Sequence, residues 1–252
     1  MPNPALNRAG FDTLVEAEPS SSTSTMTYRT VRMTLDGTFR KTFVLLGILG
    51  AAATVGWMQV RAGGLTGNFS GLILFCIVAG LGLGWYTMRH PEKAATLGPI
   101  YAGIEGWLLG LISATVNARY AGLPMQAVLL TICTMGVMLW LYRARVVRAT
   151  ERFKAVVVGL TCGIFMFYIA ALGLALLGIQ IPFLTEAGAL GIGFGVFVTG
   201  LAAFNLILDF DLIEQGVGKA PGYMEWYAAF ILVVTLVWLY LEILRLMRKL
   251  SR

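Results

Sequence analysis

Ala155-Val-Val-Val-Gly-Leu-Thr-Cys-Gly-Ile-Phe-Met-Phe-Tyr-Ile-Ala-Ala-Leu-Gly-Leu-Ala-Leu-Leu177 contains no charged residue. A bilayer's hydrocarbon core is about 30 Å thick and a helix rises about 1.5 Å per residue, so about 20 apolar residues make one crossing. Six further runs of this kind lie at 43–60, 69–88, 97–116, 125–141, 187–208 and 223–247. None is a ten-residue alternating segment, which a closed barrel of strands would need. The expectation is an all-α fold, an integral membrane bundle of seven transmembrane helices over residues 41–252. A polar cytoplasmic arm, largely disordered, is expected over residues 1–40.

Composition agrees with that class. The chain is 58% hydrophobic and 13% charged, where a soluble domain is about one quarter charged. A net charge of +6 does not mark a nucleic-acid binder here, because the bases sit in short loops between apolar runs. That placement reads as membrane orientation and contact with anionic headgroups, so the lipid bilayer is the expected partner, with no nucleic acid. The arm carries Pro19-Ser20-Ser21-Ser22-Thr23-Ser24-Thr25. No basic stretch followed by a short apolar core opens it, and no cleaved signal peptide is expected. From Thr34 onward a helix lying on the membrane surface is expected.

Loop charges set the direction. Arg40, Lys41, Arg89, Lys93, Arg143, Arg145, Arg148, Arg152 and Lys154 fall on one side, against Arg61 and Arg119 on the other. Bases favour the cytoplasm, so a multi-pass protein with a cytoplasmic amino terminus is expected. The carboxyl end conflicts with this rule. Seven crossings put it outside, yet Arg245, Arg248, Lys249 and Arg252 crowd its last turns.

Small residues recur at spacing four, as Gly80 and Gly84, Gly106 and Gly110, Gly159 and Gly163, and Gly191 and Gly195. Such faces let membrane helices approach closely. Packing inside one monomeric bundle is the expected use, rather than a dimer seam. Cys76, Cys133 and Cys162 lie in apolar runs without metal-ligand spacing and read as free thiols. His90 is the only histidine, no HExxH or GxSxG motif is present, and no enzyme or resident cofactor is expected.

The remaining signal is acid at depth. An ionisable residue at the centre of a membrane helix costs about 2.5–3.5 kcal/mol even on insertion scales, and so marks function more often than packing. Asn205 and Asp209 are four apart and share a helical face, so Asp209 should point into the bundle beside Asn205. Asp211 and Glu214 lie on another face nearer water and read as solvated acids at the helix end. Glu242 sits within the last run, with Arg245 one turn away as a local partner. Glu105 is a third acid at depth, an inward polar contact in the third run. Arg89, at the end of the second run, either pairs with Asp209 or snorkels to headgroups.

Several of these segments resemble one family. Leu208-Asp209-Phe210-Asp211-Leu212-Ile213-Glu214 looks like the Phe-Asp-Thr-Gln-type segment of the Bax inhibitor-1 family, also called the transmembrane Bax-inhibitor-motif or YccA-like family. Leu239-Tyr240-Leu241-Glu242-Ile243 looks like its final Leu-Tyr-Leu-Asp-Ile signature. Asn3-Pro4-Ala5-Leu6-Asn7-Arg8 and Gly103-Ile104-Glu105-Gly106 resemble a bacterial branch, which implies an inner membrane. The similarity covers about residues 40 to 250. It implies a pH-sensitive Ca²⁺ leak gated by two acids, Asp209 and Glu242, which would also be the Ca²⁺ ligands, with Arg89 in the position of a latch.

Two carboxyl groups brought together in a low dielectric share a proton rather than both ionise, and once charged they attract a hard cation. The spacing resists that pairing. The gap between the acids exceeds the family's usual one, and a seventh helix beginning at Tyr223 would carry Glu242 about 28 Å from its start. Contact requires residues 216–227 to run along the membrane surface, with Gly218 to Gly222 and Tyr223 to Tyr227 absorbing the extra length, or the seventh helix to be broken. The alternative function is a regulatory membrane protein whose arm binds and modulates a membrane protease or another membrane partner.

Overall fold

The computed structural model describes residues 32–63, 69–179, 181 and 188–251. The polar arm up to Val31, the loop positions Gln180 and Pro182, and Arg252 lie outside the described residues. Those described form seven helices long and apolar enough to cross a membrane. They are α1 (Leu35–Arg61), α2 (Phe69–Arg89), α3 (Ala94–Arg119), α4 (Leu123–Arg143), α5 (Glu151–Leu176), α6 (Ala189–Gly216) and α7 (Met224–Leu250), with a short 3-10 turn, Pro91–Lys93, between α2 and α3. The protein is a multi-pass membrane protein of helices.

Local chemistry places the helix starts. Thr34 caps α1 by accepting the Gly37 N–H at 3.0 Å, and Asp36 occupies the first turn, where the helix dipole favours an acid. Thr150 and Glu151 do the same for α5. α4 begins after Gly122, whose φ of +79° suits glycine, with Pro124 in the first turn. These polar first turns extend α1 and α5 beyond their apolar runs. The stretch after Thr34, expected on the membrane surface, is therefore the start of α1 and continuous with its crossing.

α7 is the central element. Of its most apolar stretch 72% is buried, against 11% for α1, α4 and α5. It packs on α1, α3, α4 and α6, and its Phe230, Val233 and Leu239 are fully buried. α1 and α3 lie backbone to backbone. A Cβ on Gly106 would sit 2.8 Å from the Leu49 Cα, and one on Gly110 would sit 2.8 Å from the Ala53 carbonyl carbon. That pair of glycines thus serves packing within the bundle, whereas Gly159 and Gly163 on α5 meet nothing within 4 Å. Large side chains such as Phe43, Trp140 and Met166 are exposed, as a lipid-facing surface requires.

The helices alternate in direction, which defines two ends. The near end holds the starts of α1, α3, α5 and α7; the far end holds their last turns. The linker from α6 to α7 is short, and α7 runs unbroken from Met224. Residues Met224 to Tyr227 are the first turn of α7, as the seventh apolar run from 223 implied, and do not take the surface path that contact between Asp209 and Glu242 required. They are held there because Glu225 docks on Thr34 and Lys41 at the start of α1.

The far end also accounts for the bases that crowd the carboxyl terminus. Arg245 turns inward to Glu242, with Nη1 at 3.0 and 3.1 Å from the two carboxylate oxygens. Lys249 is buried and donates to the Gly191 carbonyl at 2.9 Å. Two of the four bases are therefore occupied inside the protein, and α7 crosses simply.

Candidate functional site

Asp209 lies seven residues before Gly216, the last residue of α6, so it is about 10 Å in from the near end. It is 7% exposed. The Thr235 side chain of α7 hydrogen-bonds it, while its Oδ2 is buried with no hydrogen-bond partner among the described residues. Phe210 and Ile213, beside it and one turn nearer the end, belong to the apolar core with Leu206, Met33 and Ala228. A buried polar atom without a partner is the exception in a folded protein and calls for a water, an ion or a functional role.

Glu242 is built in the opposite way. It is 1% exposed, and donors surround it. Tyr168 of α5 donates to Oε1 at 2.9 Å, Trp238 Nε1 donates at 3.3 Å, and Arg245 Nη1 takes both oxygens. The Arg245 guanidinium also stacks over the Tyr168 ring at 4.9 Å. This is the local pair with Arg245, enlarged by α5. Glu242 is a neutralised anchor that ties α5 to α7.

The two acids do not meet. Thr235, the partner of Asp209, precedes Glu242 by two turns of α7, about 10 Å along the axis. Glu242 lies eighteen residues beyond Met224, about 27 Å from the near end. The Glu242 oxygens are taken by Arg245, Tyr168 and Trp238, and the Asp209 carboxyl, among the described residues, by Thr235. Among the described residues no group of three or more His, Cys, Asp or Glu gathers as a metal centre.

The other candidates disperse as well. Asn205 donates to Thr161 Oγ1 of α5 at 2.8 Å and to the Leu201 carbonyl at 2.9 Å. Spacing four put it on the Asp209 face, but its side chain turns to α5 while Asp209 turns to α7. Asp211 pairs with Lys154 at 2.8 Å and accepts from Gln215, so it is a half-buried ion pair rather than a purely solvated acid. Glu214 is exposed and accepts from the Tyr142 hydroxyl, which ties α4 to α6. Arg89 is exposed and lies over the Trp85 ring at 4.9 Å; among the described residues it forms no ion pair with Asp209. A cation at a helix end finds an interfacial aromatic more readily than a buried acid. Glu105 is buried on α3 and faces Gly80 of α2, where a Cβ would collide with its Oε1.

Some residues of these sites were not legible in the sequence. Tyr168 and Thr235 are isolated polar groups in apolar runs, a signal that a buried hydroxyl needs a partner. Glu225, 6% exposed, resembles an ordinary acid at a helix start, and nothing local connects it to Lys41, its partner 184 residues away.

The family model described as Bax inhibitor 1 like matches residues 3–252. The chain belongs to the Bax inhibitor 1 like family. No curated protein and no solved structure matches it. The matched span takes in both acid-bearing segments, so within this family the present chain holds Asp209 and Glu242 at different depths of the bundle.

Proposed function

We propose that the protein is a pH-responsive cation leak, with Ca²⁺ the expected ion, and that Asp209 alone is its switch. The observation that carries this reading is the buried Asp209 carboxyl with its unpartnered Oδ2. Leaving a buried acceptor unsatisfied costs about 1–3 kcal/mol. A proton removes the charge from this buried group, and a hard cation on the carboxylate oxygen supplies the partner it lacks. Proton and cation then compete for one group, which makes conduction depend on pH.

Glu242 takes a different role in this reading. Its charge is answered by Arg245, and it holds α5 against α7 rather than binding the ion. The protein is a conduit and not a catalyst. The near end faces the cytoplasm of a bacterial cell, since the loop bases Arg40, Arg89, Arg143, Arg148 and Arg152 gather there.

Ca²⁺ flux into liposomes, measured across pH, tests the proposal. Asp209→Asn keeps the size of the side chain but cannot change its charge, and it is expected to flatten the pH response. Identical flux and identical pH response in both proteins would contradict the proposal.

A further inference from the structure

Just before α1, Arg32 to Thr34 run extended and pair with the linker between α6 and α7. The Met33 N–H donates to the Ala220 carbonyl at 2.9 Å, and the Met33 carbonyl accepts from the Gly218 N–H at 2.9 Å. Arg32 and Pro221 form an antiparallel bridge, and Arg32 Nη1 donates to the Gly218 carbonyl at 3.1 Å. Gly218 has φ +73°, a conformation that a side chain at this turn would strain.

From this pairing the Met33 side chain packs inward against the helix ends. It is 2% exposed, and its sulfur lies against Gly216, where an added Cβ would approach to 2.7 Å. It joins the same apolar cluster as Phe210 and Ile213 of α6, the residues between Asp209 and the near end. The next residue, Thr34, fastens the arrangement. Its N–H and its hydroxyl both donate to Glu225 Oε1 at 2.8 Å, and Lys41 Nζ takes Oε2 at 2.6 Å. Three donors from the start of α1 thus satisfy a carboxylate on the first turn of α7.

We propose that residues 32–34 are a clasp, with Met33 as its plug, that closes the near-end water route to Asp209 and opens without unfolding the helices. The unit is suited to local opening. Two backbone hydrogen bonds, the Arg32 side-chain bond, the two Thr34 donors to Glu225 and one flexible apolar side chain hold it over the helix ends, all of them confined to three residues, whereas α6 and α7 beneath are packed along their lengths. Methionine suits a plug because its unbranched chain withdraws and repacks readily. The proposal rests on the reading above only in taking Asp209 as the group to be reached.

The test reads access rather than flux, so a protein that conducts no ion still decides it. In full-length protein in nanodiscs, with the native cysteines replaced by alanine, Ile213→Cys reports from the 3% exposed position below Met33. A membrane-impermeant thiol reagent should label it slowly while the clasp is intact. Met33→Gly and, separately, Gly216→Leu, which drives the plug out, should each accelerate labelling by about tenfold or more, as removal of a local closing unit predicts. Met33→Leu should retain slow labelling. Rapid labelling with the clasp intact, or no acceleration in either variant, would overturn the proposal. On the unaltered protein, hydrogen exchange gives an independent reading. The Met33 and Gly218 amides should exchange well before those of α6 around Asp209, and exchange of both sets together would overturn the proposal equally.

Discussion

Two buried carboxyl groups in one protein carry opposite electrostatic arrangements, and mutation should separate them. Glu242 has an arginine, a phenol and an indole around it; removing the arginine leaves a charge stranded in apolar surroundings. Arg245→Leu is expected to lower stability by about 2–3 kcal/mol, below the full cost of breaking a buried pair because a third of the arginine is exposed. Glu242→Leu combined with Arg245→Leu should recover most of that loss, since an apolar pair of similar volume replaces an ion pair at little cost. Unfolding in mixed micelles measures both; a double variant as weak as the single one would contradict the assignment. The depth of Asp209 was legible because an acid that interrupts an apolar run is too costly to face lipid and must turn inward. Its partner was not, since a motif names residue types in order and says nothing of the two turns of α7 between Thr235 and Glu242.

At the scale of elements, the α1–α3 seam is a backbone-to-backbone contact, whereas the glycine face of α5 is open. Gly110 has the Ala53 backbone against it, and a backbone cannot move aside as a side chain can. Gly110→Val should therefore cost about 3 kcal/mol or more by overpacking. Gly163→Val, facing open space, should stay within about 0.5 kcal/mol. Thermal unfolding in detergent checks the contrast, and equal losses would show that the seam is not specific. Both glycine pairs read alike in sequence, since spacing four marks a face without naming what covers it. The helices themselves were legible from length and hydropathy. Their starts are displaced because polar caps such as Thr34 and Thr150 belong to the helix but not to the apolar run. The start of α7 was legible in the same way, but its anchor was not, because Lys41 lies on α1, 184 residues from Glu225.

At the scale of the whole molecule, seven crossings place the two ends of the described chain on opposite sides. The inward turn of Arg245 and Lys249 reduces the charge conflict that the carboxyl terminus posed, since two of its four bases are occupied inside the protein. Cysteines introduced at Lys93 and Arg119 should report opposite sides of the membrane, with an impermeant reagent added to intact cells labelling position 119 and sparing 93. Labelling of both, or the reverse order, would contradict the orientation. The orientation also sets which compartment's pH acts on Asp209, the nearer of the two acids to the near end. The central claim is that one acid and not a pair is the switch, and Ca²⁺ flux against pH in liposomes tests it most directly, with Asp209→Asn and Glu242→Gln measured beside the unaltered protein. Asp209→Asn should flatten the pH response, while Glu242→Gln should leave its midpoint unchanged. Matching shifts in the two variants, or a flat profile from Glu242→Gln alone, would contradict it.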